Sequence, residues 1–355
     1  MNLKLSIQCF LLLNILFIIK FLVTLIHIHN ESNYTYTIDQ EHMKAWKQRL
    51  LKYPDMVLSC HESRKSDNLG LLDPSMVQEN SIFFLETSCL GDLSSRLACS
   101  VESAARANGN RKIYVLFSSP VSAGALDPRA ILNTLQESYS NLKFARILIK
   151  DFAKNTPLHS FVHKLDKRDL DQRVSRILKF LVLYKFGGMY LSFDVIVAKK
   201  FDLCDSWFVK DTPYTYSADM FAFSKSEAGK KLAEAAVRLL QDPVMSIPEN
   251  WSYDTTSIIS HLVTLNTFGI NATLCKELGF QVYEPDKFYP LNFYQRAAYF
   301  SLGEQNIAKK KDVYTYHTFY RFTKHVIVSP LSFYGKIARN YCPITFRHYR
   351  ENFGL

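Results

Sequence analysis

The chain has 355 residues, of which 48% are hydrophobic and 21% are charged, a composition that excludes wholesale disorder and allows one large or two small folded domains. Its net charge of +10 does not indicate a nucleic-acid partner, because the basic residues are scattered and no RNA- or DNA-binding motif accompanies them. A basic surface can instead face anionic lipid headgroups, a nucleotide diphosphate or solvent.

The first apolar segment is long enough to cross a membrane. Residues 5–28 are almost continuously apolar, which matches one crossing of a hydrocarbon core about 30 Å thick. A cleaved signal peptide is the alternative, but residues 23–29 offer no small-x-small cleavage pattern. We therefore predict a cytoplasmic tail at 1–4, an uncleaved transmembrane signal anchor at 5–28 and a body in the lumen of the secretory pathway.

Sequons and cysteines fit a lumenal body. Six cysteines follow the anchor, which permits three disulfides in fifteen pairings that the sequence does not distinguish. None of the cysteines has C-x-x-C spacing, so we expect no zinc site. Residues 29–80 are predicted to be a stem and entry segment, because the first part is polar without a hydrophobic period. The Asn-x-Ser/Thr sequons are Asn30, Asn33, Asn250 and Asn271.

From Ser81 the sequence alternates between strand and helix patterns. This alternation predicts an α/β fold with right-handed crossovers and a mainly parallel sheet. A nucleotide would bind at the carboxyl ends of its strands. We expect the folded domain to span 81–345, followed by a C-terminal tail at 346–355. The first predicted elements are a strand at 81–87, a helix at 99–108, a strand at 112–117, a helix at 127–138 and a strand at 143–150.

The next predicted helix, residues 171–185, carries the first candidate site residue. Arg176 lies on this helix, and a guanidinium offers the fork of donors that suits a diphosphate. An exposed helical arginine without a ligand is the alternative. Gly187 and Gly188 end the helix, and their lack of side chains would also let a ligand come close.

A short predicted strand at 189–191 leads to a carboxylate. A divalent ion held by Asp194 can neutralise the charge that develops on a leaving diphosphate. A lone aspartate after a strand is usually a turn former or a solvated group. The glycine pair and the aromatic Tyr190 before it favour a metal ligand. We therefore predict that Asp194 binds metal.

Several motifs occur together in the order in which a known family has them. These motifs span most of the chain between residues 81 and 343, and the chain resembles the lumenal domain of the α1,4-glycosyltransferases. The matching segments are residues 83–88, 99–106, 175–176, 185–190, 288–290 and 341–343.

The resemblance implies a GT-A-like fold and a single-pass type II Golgi membrane protein. It also implies retaining transfer of galactose or an N-acetylhexosamine from a UDP-sugar, usually with Mn²⁺, to a glycolipid or a glycoprotein glycan. Association with other Golgi transferases would fit such a protein. His317 lies near the family's late histidine and is a candidate for contact with metal or diphosphate, although a histidine satisfied within the structure is equally compatible. The predicted donor-binding residues are Arg176, Gly187, Gly188, Tyr190, Ser192, Asp194 and His317.

The chain departs from the family at several of these positions. The family's Asp-x-Asp is Ser192-Phe193-Asp194 here, which keeps the carboxylate expected to bind metal but loses the one expected to help hold the nucleotide sugar. Arg173 replaces an acidic residue. Ser217-Ala218 replaces Asn-Gly, and Thr255-Thr256 replaces Gly-Pro.

These departures leave two hypotheses. The first is an active Golgi α1,4-glycosyltransferase that uses UDP-galactose or a related donor, in which Asp194 holds the metal and Arg176 and His317 assist the diphosphate. Asp219 and Asp254 lie near the altered positions and could compensate for the lost groups. The second is a non-catalytic lumenal paralogue that binds glycans or an active transferase.

Overall fold

A computed structural model describes residues 60–61, 68–241, 251–267, 279–302 and 312–354. The predicted tail at 1–4, the anchor at 5–28 and all four sequons lie outside the described residues, as does most of the predicted stem. None of the helices in the described part of the chain combines the length and apolar character that a membrane crossing requires.

The described strands form one large sheet and one small ribbon. The large sheet has seven strands in the order β3-β2-β1-β4-β7-β6-β8, and the ribbon pairs β5 with β9. Within the large sheet β7 alone runs against its neighbours, so the predicted α/β architecture with a mainly parallel sheet is confirmed. The strands are β1 (Ile82–Glu86), β2 (Ile113–Phe117), β3 (Leu142–Arg146), β4 (Gly188–Leu191), β5 (Val195–Val197), β6 (Trp207–Lys210), β7 (Tyr216–Phe223), β8 (Gln281–Tyr283) and β9 (Thr315–His317).

Helices cover both faces of the sheet, because alternate residues of its strands enter two separate apolar cores. On β1, Phe84 packs in the core that includes α1, α2 and α9, whereas Phe83 packs in the core that includes α5 and α6. The described helices are α1 (Ser95–Ala107), α2 (Ile131–Ser138), α3 (Ile149–Phe152), α4 (His159–Lys164), α5 (Lys167–Phe186), α6 (Glu227–Leu239), α7 (Trp251–Thr267), α8 (Tyr320–Thr323), α9 (Phe333–Tyr341) and α10 (Pro343–Tyr349).

Several element boundaries differ from the sequence prediction, including the start of α1, which begins at Ser95 instead of residue 99, and three other boundaries differ for local reasons. Helix α2 does not begin at Asp127, because Pro128 follows and holds Asp127 in an extended conformation with ψ of 144°. The strand predicted at 143–150 ends at Arg146, and the chain then turns into α3. Helix α5 begins earlier than predicted, after Asp166, whose side chain caps it by accepting a hydrogen bond from a backbone N–H.

The end of the chain folds back onto α1. A disulfide joins Cys99 to Cys342. The buried carboxylate of Glu102 accepts hydrogen bonds from two backbone N–H groups at the start of α10, at 2.9 and 2.7 Å. Within the segment predicted as a tail, 346–355, the Gly354 N–H donates to a serine hydroxyl of α1 at 2.8 Å. A second disulfide, Cys60–Cys89, ties residue 60 to the loop after β1.

Candidate functional site

A cleft of about 1440 Å³ opens at the carboxyl ends of β1 and β4. This edge of an open α/β sheet is where such folds bind ligands. The described elements that line the cleft are α5, the turn after β4, the start of β7, the loop between β8 and β9, and the chain that follows β9.

The turn after β4 is held in place by backbone and hydroxyl contacts. The Ser192 hydroxyl donates to Asp194 Oδ2 at 2.9 Å, and the Asp194 N–H donates back to Ser192 Oγ at 3.2 Å. The carbonyl of Asp194 accepts the Thr318 N–H at 2.7 Å, which fixes the turn against the segment after β9. Asp194 therefore presents its carboxylate to the cleft from a defined backbone position.

His317 reaches the same place from the ribbon, because β9 pairs His317 with Val195 directly after the acidic turn. Its Nε2 lies 3.1 Å from Asp219 Oδ2. The imidazole packs against the rings of Tyr289 and Phe319, with centroid distances of 4.8 and 4.4 Å. The histidine side chain is 5% exposed and the aspartate side chain 35%, so the carboxylate is the more open member of the pair.

Asp219 and His317 each shift the pKa of the other. Burial acts to lower the pKa of His317, but the hydrogen bond and charge of Asp219 outweigh burial and raise that pKa. Burial acts to raise the pKa of Asp219, and the imidazole together with the Lys179 ammonium outweighs this effect and lowers it. Asp219 and His317 therefore act on each other's titration as a hydrogen-bonded pair, through Nε2 and Oδ2.

Helix α5 contributes three basic residues to the cleft, Arg173, Arg176 and Lys179. Arg176 and Lys179 are three residues apart and share one face of the helix. Burial lowers the pKa of Arg176 to about 10, with a smaller contribution from the positive charge of Arg173. Lys179 Nζ donates to the Ala218 carbonyl at 3.1 Å and lies 4.9 Å from the centroid of the Tyr190 ring. Burial lowers the pKa of Lys179, although two nearby carboxylates oppose the shift.

The structure brings five of the seven predicted site residues into the cleft. They are Arg176, Tyr190, Ser192, Asp194 and His317. The sequence prediction did not assign Lys179, although its spacing from Arg176 is a usable signal. Asp219 was considered only as a substitute for lost groups, and it lies in the cleft beside His317.

The glycine pair does not line the cleft. Gly187 ends α5 with φ of +65°, and Gly188 has φ of +89°. A Cβ atom at Gly188 would lie 2.4 Å from the Ser81 carbonyl oxygen, where β4 begins beside β1. The pair therefore permits a sharp turn from helix to strand and a close approach of two backbone segments.

The altered family positions also lie at the cleft. Arg173, Ala218, Thr255 and Thr256 line it, and the Ser217 hydroxyl lies 2.6 Å from the Tyr289 hydroxyl. The side chain of Asp254, the other candidate for compensation, lies outside the described residues.

Comparison with known proteins supports the resemblance to one family. Residues 94–213 match the family model described as a glycosyltransferase sugar-binding region containing a DXD motif, and residues 228–349 match the model described as the alpha 1,4-glycosyltransferase conserved region. Over these two segments the chain is similar to the α1,4-glycosyltransferases.

Named relatives agree with this similarity. The chain is 23% identical to lactosylceramide 4-alpha-galactosyltransferase of Rattus norvegicus over 287 residues, which cover 77% of each chain. It is 28% identical to the Homo sapiens protein of the same name over 148 residues, which cover 41% of this chain and 42% of the relative.

Solved structures with lower similarity include other glycosyltransferases. The galactosyltransferase LgtC in complex with donor and acceptor sugar analogues is 13% identical, and the match covers 75% of this chain and 95% of that chain with a TM-score of 0.38. GlyE of Streptococcus pneumoniae TIGR4 is 12% identical, with coverage of 77% and 63% and a TM-score of 0.43.

The donors in the cleft suit a divalent ion that is shared with a diphosphate. Asp194, Asp219 and His317 offer the oxygen and imidazole donors that such ions accept. They do not form a closed cage, because among the described residues only Cys60, His61 and Cys89 have ligand atoms all within 4.8 Å of one another. Those cysteines are joined as a disulfide, which removes them as metal ligands. An open site that substrate phosphates complete is the usual arrangement for hard cations bound with nucleotides.

Proposed function

We propose that this chain is an α1,4-glycosyltransferase that moves galactose or an N-acetylhexosamine from a UDP-sugar to a glycolipid or glycan acceptor, with retention of anomeric configuration. One observation carries the proposal: a single cleft at the carboxyl edge of the sheet contains a strand-end carboxylate, a histidine and the basic residues of α5. The body would lie in the Golgi lumen behind the predicted anchor at 5–28. The names of the relatives make lactosylceramide the first acceptor to test.

The residues of the cleft have distinct roles in this proposal. Asp194 and His317 would hold the divalent ion, which we take to be Mn²⁺. When bound, such an ion supplies positive charge where the leaving diphosphate becomes more negative. Arg176 and Lys179 would stand beside the diphosphate and add donors and charge, since both line the cleft from α5.

Two further residues position these groups. The Ser192 hydroxyl donates to Asp194 Oδ2 and so orients that carboxylate within the turn. The Tyr190 ring lies under the Lys179 ammonium, which directs the lysine along the cleft floor. We assign no nucleophile to this transfer.

One observation favours a second function. Ser192 stands where the matched family model is described by its DXD motif, so one carboxylate is missing from that motif. A protein that lost donor binding in this way would be a non-catalytic lumenal paralogue that binds glycans or an active transferase. Donor binding separates the two functions, because the paralogue requires none.

The test is thermal unfolding of the purified full-length chain with UDP, with and without Mn²⁺. A ligand that binds only the native state stabilises it by about 2.7 kcal/mol at a hundredfold excess over the dissociation constant. We expect a Mn²⁺-dependent increase in melting temperature that Asp194→Ala removes. Asp202→Ala is the matched control, because Asp202 is exposed and lies outside the cleft lining.

The outcomes choose between the two functions. A shift that needs Mn²⁺ and Asp194 would justify incubation with UDP-galactose or UDP-N-acetylhexosamines and lactosylceramide, followed by analysis of the product linkage. Absence of any UDP-induced shift in the wild-type chain and both variants would contradict the transferase proposal and favour the paralogue.

A further inference from the structure

Asp219 lies directly beside the altered position of the acidic motif. Strand β7 runs antiparallel to β4, and the last registered pair is Leu191 with Met220. The next step along the ladder places Ser192 opposite Asp219, and the Ser192 N–H donates to the Asp219 carbonyl at 2.7 Å. Because residues that face each other on neighbouring strands are close, a carboxylate at 219 can occupy space near the one that position 192 lacks.

The contact of Asp219 with His317 has the spacing of two neighbouring metal ligands. Asp219 Oδ2 and His317 Nε2 are 3.1 Å apart. An octahedral ion with bonds of about 2.1 Å places adjacent ligand atoms about 3.0 Å apart. Adjacent ligands of one ion have a similar separation, and the hydrogen bond that now joins the two atoms would be replaced by two bonds to the ion, with loss of its proton. The 35% exposure of the aspartate side chain leaves it accessible from the cleft.

The positive charges in the cleft also favour a carboxylate at position 219. Arg176 and Lys179 both line it and bring positive charge to the place where a divalent cation would bind. Several carboxylates line the cleft and offset these cations, and among them Asp219 is the one hydrogen-bonded to His317. Asp219 adds a negative charge that acts on both Lys179 and His317.

We infer that Asp219 is a metal ligand of the donor site and replaces, from the neighbouring strand, the carboxylate that Ser192 does not supply. This inference rests on the proposed function, because it concerns the same divalent ion. Asp194, Asp219 and His317 would then form the protein part of the coordination shell, and ion binding would draw together ligand atoms that are not all within 4.8 Å of one another here. The Ser192 hydroxyl, which donates to Asp194, keeps that carboxylate oriented. Compared with Asp-x-Asp, the site still has two carboxylates, but one of them lies on the neighbouring strand β7.

The test measures Mn²⁺ affinity directly, by electron paramagnetic resonance of free Mn²⁺ in the presence of UDP. The proteins are the full-length chain, Asp219→Asn, the double variant Asp219→Asn with Ser192→Asp, and the control Asp202→Asn. Asparagine keeps the size of Asp219 and can still accept the hydrogen bond from His317. We expect Asp219→Asn to weaken Mn²⁺ binding by more than the roughly 10- to 100-fold that is typical when a residue supporting a ligand is changed. The double variant should regain most of this loss, and the control should match the wild-type chain.

The outcomes distinguish failure of the proposed function from failure of the inference about Asp219. If the wild-type chain binds no Mn²⁺ with UDP, the proposed function fails and takes the inference with it. If the wild-type chain binds Mn²⁺ and Asp219→Asn binds it equally well, the inference alone is overturned. A loss that the double variant does not recover would also overturn it, because Asp219 would then act only by holding His317.

A second variant covers the case in which Asp219→Asn does not fold, as judged by its far-ultraviolet circular dichroism. Asp219→Glu keeps the charge opposite His317 but moves the carboxylate oxygens by one methylene. Metal coordination should be sensitive to that displacement, so we expect weaker Mn²⁺ binding at unchanged circular dichroism. Mn²⁺ binding equal to that of the wild-type chain would contradict coordination by Asp219.

Discussion

Strand β4 has specialised residues at both ends, and the two ends serve different purposes. At its amino end, Gly187 and Gly188 allow the chain to leave α5 and pass close to β1. At its carboxyl end, Ser192 and Asp194 enter the cleft. These residues form one continuous motif in the sequence, yet only the second group faces the proposed ligand. A sequence motif can therefore combine residues that build the fold with residues that carry the chemistry.

Gly188→Ala should have the largest effect and should act on the fold. The new Cβ would lie 2.4 Å from the Ser81 carbonyl oxygen at a backbone φ of +89°. Strain and overpacking together should lower the free energy of unfolding by about 3 kcal/mol or more. Urea denaturation of the full-length chain measures this change. Gly109→Ala is the control, because nothing lies within 4 Å of its Cβ position. Equal stability of Gly188→Ala and wild type would refute a structural requirement at the amino end.

Gly187→Ala should have the next largest effect, also on the fold. Gly187 has φ of +65° and ψ of −159°, a combination that side-chain-bearing residues rarely adopt. The nearest atoms to its Cβ position are 3.1 Å away, farther than at Gly188. We therefore expect a loss of about 2 kcal/mol in the free energy of unfolding. The UDP affinity of the folded fraction should equal that of the wild-type chain, and a selective loss of UDP affinity at full stability would instead place this glycine in the ligand site.

Arg176→Met should affect binding and leave the fold intact. It removes a guanidinium from the cleft, so the dissociation constant for UDP should rise about tenfold, which corresponds to about 1.4 kcal/mol. The free energy of unfolding should stay constant or increase, because burial already disfavours the charged guanidinium. Isothermal titration calorimetry and urea denaturation test the two parts. The matched control is Lys230→Met, on exposed surface outside the cleft lining. Unchanged UDP affinity in Arg176→Met would remove this residue from the donor site.

Glu86→Gln should have the smallest effect and depends on pH. Glu86 ends β1 at the edge that carries Asp194, but it is 2% exposed, and burial raises its pKa despite hydrogen bonds from Ser88. A raised pKa in the folded state means that the stabilisation is present below the ordinary value of about 4.3 and is lost as the pH rises through the folded-state pKa.

The glutamine variant cannot titrate at this position. It should therefore gain stability relative to the wild-type chain as the pH rises from 4 to 8, by less than the roughly 2 kcal/mol expected for Gly187→Ala. Urea denaturation across that range gives the slope. Parallel slopes in both proteins would show that Glu86 does not titrate in the range.

The sequence predicted the part of the site that is continuous along the chain. Arg176, Tyr190 and Asp194 lie on one helix, one strand and the following turn, so local patterns and a family motif were sufficient. The contact of Asp219 with His317 joins residues 98 positions apart and depends on an antiparallel strand in an otherwise parallel arrangement. Hydrophobic patterns do not specify that direction or its register, because a buried strand reads alike in either orientation.

The same limit applies to the covalent framework. Cysteine spacing left the pairings open, and the Cys99–Cys342 bond follows from the packing of α1 against the end of the chain. Some predicted element boundaries were wrong for a different reason. At Asp127 a proline decided the local conformation, and the helical pattern around it was not sufficient.

The Cys99–Cys342 bond also orders events during biosynthesis. Its sulfurs belong to residues 243 positions apart. At ribosomal speeds of about 5 to 20 residues per second, the second cysteine is made roughly 12 to 50 s after the first. Until then, the thiol of Cys99 has no native partner and can form disulfides with cysteines that were synthesised earlier. In a newly made chain Cys99 must therefore stay unpaired, or exchange a non-native disulfide for the native one, until Cys342 near the end of the sequence has been synthesised.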